Sequence, residues 1–172
     1  MKKKILIVIQ LVRRGGVELV AINFARKIDK SKFDITFLLI DPYEPQDESL
    51  LDELKNDGYR FVSVPKNAGG YIGKYKFIND FMKKQHYDVV HSHVALFSGL
   101  VLMAAKKNGV GVRIAHSHII KWNRQENIKY KAYKKLMQYL LNKYATEKIG
   151  CSSAAGQYLF GKNAYNKQGT IL

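Results

Sequence analysis

A single cysteine, Cys151, stands among 172 residues, so no disulfide can close within the chain and no cysteine-rich zinc cluster can be built. A reducing compartment is the expectation. Prolines number only three, and no Pro- or Ser-rich linker, low-complexity tract or internal repeat divides the chain. One domain over 1–172 fits that length. Long apolar runs are missing too. The run at 94–105 falls short of the ~20 residues that cross a bilayer. The opening MKKKILIVIQLVRR imitates a leader, but Arg13 and Arg14 follow its apolar run where a cleavage site would need small residues. A cytoplasmic protein is expected. Acidic residues are scarce, 14 against 29 Lys and Arg, which leaves a net charge of +15. Anionic partners follow from that excess: sugar nucleotides, an acidic membrane face or nucleic acid. No RNP, KH or helix-turn-helix pattern accompanies the charge, so nucleic acid is not expected.

What the chain does have is 47% hydrophobic residues in an alternating arrangement. Short β-branched runs at 4–10, 35–40, 60–64, 88–91, 112–115 and 148–151 read as buried strands, and a further one begins at 169. Between them, apolar residues at helical spacing predict helices over 17–28, 47–56, 74–84, 96–107, 127–143 and 154–160. In the first helix, Val17, Val20, Ala21, Phe24 and Ile28 form the predicted inner stripe; in the third, Phe77, Ile78 and Phe81 do. Regular alternation of strand and helix requires crossover connections. The predicted class is therefore α/β, doubly wound and Rossmann-like, with a mostly parallel sheet and helices on both faces. Such sheets bind ligands outside the carboxyl ends of their strands.

Three features lie at those ends. Gly15-Gly16 separates the first strand from its helix; paired glycines permit positive φ and close approach of an anion to the helix N-terminus. The loop lacks the G-x-G-x-x-G of a dinucleotide fold and the Gly-Lys-Ser/Thr of a P-loop. A purely structural turn is the other reading. Asp41, after the second strand, reads as a solvated strand-end residue. His91-Ser92-His93 and His116-Ser117-His118 follow two further strands, and alternation places each histidine pair on one side. Neither triplet has a neighbouring carboxylate or cysteine, so hydrogen bonding to ligand oxygens is favoured over metal. Cys151, at the end of a buried strand, reads as an inert rather than a reactive thiol.

A fourth feature is charge. Lys121, Arg124, Lys129, Lys131, Lys134, Lys135, Lys143 and Lys148 are opposed only by Glu126 and Glu147. The helix among them places Ile128, Ala132, Leu136, Leu140 and Tyr144 on its predicted inner stripe, widened by Tyr133 and Met137. Lys131, Lys134 and Lys135 fall on the outer face, which fits an anionic lipid surface.

Taken together, Gly15-Gly16-Val17-Glu18 with Asn23, Asp88-Val-Val-His91-Ser-His93, Arg113-Ile-Ala-His116-Ser-His118 and Cys151-Ser-Ser-Ala-Ala-Gly156 with Leu159-Phe160-Gly161 resemble a known family. The chain is similar to the N-terminal, acceptor-side domain of retaining GT-B glycosyltransferases of family 4, of the bacterial capsule and exopolysaccharide type. The resemblance implies sugar transfer from a nucleotide-sugar donor to a membrane-proximal or lipid-linked glycan, without metal or other cofactor. His116 would stand beside the transferred sugar, and Gly15 and Gly16 against the donor diphosphate. Arg13, Arg14, His91, His93, His118 and Ser152 would face the acceptor or the sugar. The sequence stops where the family continues into a nucleotide-sugar domain, so this chain alone is expected to be inactive. Peripheral attachment to the inner face of the cell membrane is part of that expectation. Two other readings stand beside it: a small dinucleotide-binding oxidoreductase, and a non-catalytic basic module that docks on membranes or partners.

Overall fold

The structure, a computed structural model, describes residues 2–42, 46–120 and 127–172. Among these residues seven strands form one sheet: β1 (Lys3–Ile9), β2 (Phe33–Leu39), β3 (Arg60–Ser63), β4 (Val89–Ser92), β5 (Val112–Ser117), β6 (Glu147–Gly150) and β7 (Gly169–Ile171). Every pairing is parallel, in the order β3-β2-β1-β4-β5-β6-β7. The helices are α1 (Gly16–Lys27), α2 (Glu48–Asn56), α3 (Gly70–Gln85), α4 (Ser98–Lys107), α5 (Ile128–Tyr144), α6 (Ser153–Phe160) and α7 (Lys162–Gln168). This is the doubly wound, Rossmann-like class. The chain runs outward from β1 to β3 and then returns to lay β4 against the other side of β1, so the order reverses between β1 and β4.

Strand alternation divides the core in two. Ile5, Ile7 and Ile9 of β1 pack with Phe37 of β2 under Ala21, Ile22 and Ala25 of α1 and Leu50 and Leu54 of α2. Leu6 and Val8 point the other way, with Leu38 and Val90, toward α3, α4 and α5. Burying both faces explains why these strands are continuous apolar runs. The second helix starts as its sequence suggests, with the Asp47 carboxylate accepting from the Leu50 N–H as an N-cap.

Several details differ from the sequence reading. α1 buries Glu18, Ala21, Ile22 and Ala25, while Val17, Val20 and Phe24 are only half-buried. The two alanines let the helix lie close to the sheet, and the bulkier residues splay to its flanks. In α3 the inward residues are Ile78 and Met82; Phe77 and Phe81 are only partly buried. That helix begins at Gly70, earlier than the glycines at 69, 70 and 73 suggest. α7 has no apolar stripe in its sequence, since Tyr165 is its one buried residue, and it escapes a periodicity reading.

The face of α5 is rotated as well. Met137, Leu140 and Leu141 are buried, with Tyr130, Tyr133 and Tyr144 packed beside them. Ile128 is 86% exposed and Leu136 54%, so neither belongs to the inner stripe. The cause lies on α4. Gly99 makes a notch in which a Cβ would come within 2.9 Å of the Met137 carbonyl oxygen and 3.2 Å of Leu140 Cβ. The backbone of α5 settles there, and its 137–141 turn has to face inward. Gly99→Ala should therefore force the helices apart and destabilise the fold by roughly 1–3 kcal/mol. A lowered urea midpoint at unchanged slope would register it; an unaltered midpoint would show that the crossing has room to spare.

Candidate functional site

β1, β4 and β5 are parallel neighbours, so the segments that follow them end on one edge of the sheet. The glycine loop follows β1, His91-Ser-His93 runs across the end of β4, and His116-Ser-His118 across the end of β5. Period-two alternation sorts each triplet. Ser92 Oγ donates to Ser98 Oγ at 2.8 Å, tying β4 to the start of α4. Ser117 Oγ donates to the Ala155 carbonyl at 2.7 Å, tying β5 to α6. The histidines face the opposite side, where all four gather.

Ring centroids lie 4.1 Å apart for His91 and His93 and 4.2 Å for His116 and His118. Across the strands, His91 and His116 stack at 5.6 Å, and His93 lies 5.1 Å from His116. Phe24 of α1 presents its edge to His91 and His116 at 5.7 and 6.2 Å. The helix that opens at the glycine loop therefore reaches the histidines. His93 Nδ1 and His118 Nε2 share a hydrogen bond of 2.9 Å. His91 Nε2, His93 Nε2 and both ring nitrogens of His116 are buried with no hydrogen-bond partner among the described residues.

Burial, reinforced by the neighbouring His118, holds the His91 pKa down at about 4 and that of His116, where His91 adds to it, at about 3. His93 lies well below the ordinary value, and His118 is lowered, both mainly by burial. At neutral pH the cluster is four uncharged imidazoles, each with one donor and one acceptor nitrogen. Ligand nitrogens of His91, His93 and His116 lie within 4.8 Å of one another. The ligands of a tetrahedral zinc ion stand about 3.3 Å apart, so a small inward shift would suffice to hold a metal. The same unpaired nitrogens suit the hydroxyl groups of a sugar equally well.

The glycine loop is built differently from expectation. Gly15 caps α1 at φ −95°, and neither Gly15 nor Gly16 has positive φ. What Gly15 provides is room: a Cβ there would stand 2.5 Å from Glu18 Oε2. Glu18, buried in the first turn of α1, is a residue the sequence reading quoted without giving it a role. Its carboxylate pairs with Arg13 Nε at 3.3 Å, and Arg14 Nε pairs with Asp47 at 2.9 Å. Both arginines are more than half exposed, so each can turn to another anion. Ser152, grouped with the ligand residues, caps α6 by accepting from the Ala155 N–H. Cys151 is exposed, because β6, the strand expected to end at it, stops one residue earlier at Gly150. Asp41 is less solvated than its position suggests, since Lys74 and Gln10 both reach its Oδ2 at 3.4 Å.

On α5, Lys131 and Lys135 are exposed, whereas Lys134 lies over the Tyr158 ring at 4.4 Å. Lys121, Arg124 and Glu126 lie outside the described residues. No helix among the described residues is long and apolar enough to cross a membrane.

The model of Glycosyltransferase Family 4 matches residues 14–162, which include the glycine-loop helix, both histidine triplets and α5. This chain belongs to that family. The family 4 domain is 29% identical over 171 residues to EpsF of Bacillus subtilis strain 168, a protein named as a glycosyltransferase, with 97% of this chain and 43% of EpsF covered. It is 25% identical over 168 residues to the capsular polysaccharide biosynthesis glycosyltransferase CapH of Staphylococcus aureus, covering 96% of this chain and 45% of CapH. The chain thus spans under half the length of these relatives. Among solved structures, HepE of Anabaena, crystallised with UDP and glucose, superposes with a TM-score of 0.69 at 14% identity, over 99% of this chain and 44% of HepE. That likeness establishes the GT-B-type fold of the domain.

The histidines also set a pH dependence. Unfolded imidazoles take up protons near pH 6.5, whereas native His91 and His116 resist until about 4 and about 3. Between those limits the unfolded state binds more protons, so stability that is complete above pH 6.5 declines as the pH falls. Melting temperatures followed from neutral pH down to about 4.5 should fall progressively, and His116→Gln should remove about one proton from the uptake on unfolding. A pH-independent melting temperature would contradict the neutral, buried cluster.

Proposed function

We propose that this family 4 domain is the acceptor-side, N-terminal half of a retaining glycosyltransferase. The enzyme would move a sugar from a nucleotide-sugar donor to a lipid-linked or membrane-proximal glycan during bacterial surface-polysaccharide synthesis. A second domain would hold the nucleotide. The observation that carries this reading is the set of buried, uncharged and unpaired imidazole nitrogens beside the helix that opens at Gly15-Gly16. An uncharged imidazole donates to one hydroxyl and accepts from another, as a hexose ring requires. His116, flanked by the other three, would contact the transferred sugar. The N-terminus of α1 would face the diphosphate with its first N–H groups, which have no partner inside the helix. Arg13 would turn from Glu18 toward the phosphates, and a diphosphate would displace the carboxylate's hold on the loop. HepE, crystallised with UDP and with glucose, supports a nucleotide-sugar donor; the names of EpsF and CapH support the transferase class.

In this reading the outer face of α5 rests on the membrane. Ile128, Leu136 and the 58%-exposed Tyr139 form an apolar line flanked by Lys131 and Lys135, the arrangement of an interfacial helix. Lys134, held against Tyr158, contributes less than its neighbours. Cytoplasmic placement with peripheral attachment follows.

Binding, turnover and sedimentation measurements test these statements. UDP-sugars at millimolar concentration should raise the melting temperature of this chain while NADH and FAD leave it unchanged, and the chain alone should transfer no sugar. In the longer enzyme, His116→Ala should lower kcat/KM by about a hundredfold. Turnover by the isolated chain, or protection by NADH instead, would overturn the assignment. Lys131→Glu with Lys135→Glu should weaken sedimentation with phosphatidylglycerol vesicles about tenfold or more; unchanged binding would remove α5 from the membrane account.

A further inference from the structure

A second concavity opens at the same edge of the sheet, on the face opposite the histidines. It lies where the strand order reverses between β1 and β4, the place at which open parallel sheets admit ligands. Gln10, just past β1, and the segment Val94–Phe97, just past β4, form its floor. The start of α3 and the first turns of α5 form its walls. Its volume is about 430 Å³, within the ~300–1,000 Å³ of small-molecule sites.

The lining combines two chemistries. Tyr71 stands 5.3 Å from Tyr133 with nearly parallel rings, and 5.7 Å from Phe97, so three aromatic rings make one platform. Tyr71 is 55% exposed and lines the crevice, so part of its ring stays open to a ligand while the rest packs on Tyr133 and Phe97. Beside the platform lies Asp41. Gln10 Nε2 and Lys74 Nζ each reach its Oδ2, so among the described residues the contacts fall on one oxygen of the carboxylate. Asp41 and Lys74 balance in charge, which disfavours a charged ligand and suits a neutral polyol. The negative faces of aromatic rings attract the polarised C–H groups of a sugar's apolar side, while carboxylate and amide fix its hydroxyls.

We propose that this crevice is the subsite for the terminal sugar ring of the acceptor, stacked on Tyr71, Tyr133 and Phe97 and oriented by Asp41 and Gln10. The assignment rests on the reading of the chain as the acceptor side of a sugar transferase, and it names the substrate class of that side: a neutral pyranoside. Geometry joins the two halves. The histidines face α1, the crevice faces α3 and α5, and His93 and Val94 are consecutive residues on the rim between them. An acceptor hydroxyl leaving the platform therefore meets, across His93, the donor sugar held at His116.

Amide ¹H–¹⁵N spectra of this chain, titrated with methyl β-D-glucopyranoside, methyl β-D-galactopyranoside and methyl N-acetyl-β-D-glucosaminide, test the subsite. Cyclohexanemethanol serves as an apolar ring without the hydroxyls. At least one glycoside should shift the amides of Gly70, Tyr71, Leu96 and Phe97 saturably, and the alcohol should not. Tyr71→Ala removes an exposed ring and leaves the core intact; it should weaken that binding about fivefold, and Asp41→Asn should weaken it independently. The subsite is overturned if no glycoside moves those amides, if the alcohol moves them equally (an apolar slot for a lipid chain), or if neither variant changes the affinity. The two readings fail separately. UDP-glucose shifting Gly16 and Val17 while every glycoside spares the crevice would sink the subsite alone. Glycoside binding in the crevice without transfer by the longer enzyme would sink the transferase reading and leave a sugar site.

Discussion

The parallel ladder from β1 through β4 to β5 places most of the chemistry described here. In register, Val8 lies beside Ser92 and Ser92 beside Ala115, and the His93 N–H donates to the Val8 carbonyl as the ladder runs out. Because the strands run in one direction and end together, a loop, two imidazole pairs and a crevice that are distant in sequence become neighbours along one edge. Because side chains alternate, each His-Ser-His triplet divides: the serines bind the α4 and α6 side, and the imidazoles are left to the other face. A one-residue slip of β4 would exchange them, turning the imidazoles of His91 and His93 into the apolar core beneath α4. The buried Ser92–Ser98 hydrogen bond is one of the contacts that resists it.

Much of this arrangement was legible in the sequence. The alternation of apolar runs and helical stripes, the glycine pair after β1 and the histidine triplets at strand ends carry strong local signals, and each triplet's shared face follows from the strand period alone. Strand order does not. The reversal between β1 and β4, which creates the crevice, depends on which helices pack together and has no local mark. Rotational errors in α1 and α5 share one origin: periodicity ranks residues by hydrophobicity, whereas packing ranks them by fit. Small residues such as Ala21, Ala25 and Gly99 decide how close two elements come, and the large ones then go where space remains. Phe24 and Leu136 were displaced from the core by that rule. Glu18 was hidden for the converse reason, since a carboxylate is not expected inside, and only the space above Gly15 admits it. Tyr71 and Asp41 carried no motif at all, one a single aromatic after a glycine pair and the other a strand-end acid.

Charge is distributed with similar economy. The chain carries +15 overall, yet its most concentrated titratable group, the four histidines, is uncharged at neutral pH because burial removes the water that would solvate four cations. Positive charge is spread over exposed lysines around the chain, those of α5 among them, and over Arg13 and Arg14, which already lean on carboxylates. A polar but uncharged pocket beside a strongly basic surface draws anionic molecules near without gripping their neutral parts electrostatically, and hydrogen-bond geometry then selects among them.

The notch at Gly99 has a last consequence for distance. It seats α5 against α4 without slack, so the tyrosines that wall the crevice and the outward residues Ile128, Leu136 and Tyr139 are opposite sides of one fixed rod. An α-helix with its side chains is about 10–12 Å thick. The rod therefore acts as a ruler: whatever plane its outer side rests upon, the aromatic wall of the crevice stands a set height above it. A molecule tethered in that plane presents a ring there only when its spacer is long enough to climb that height.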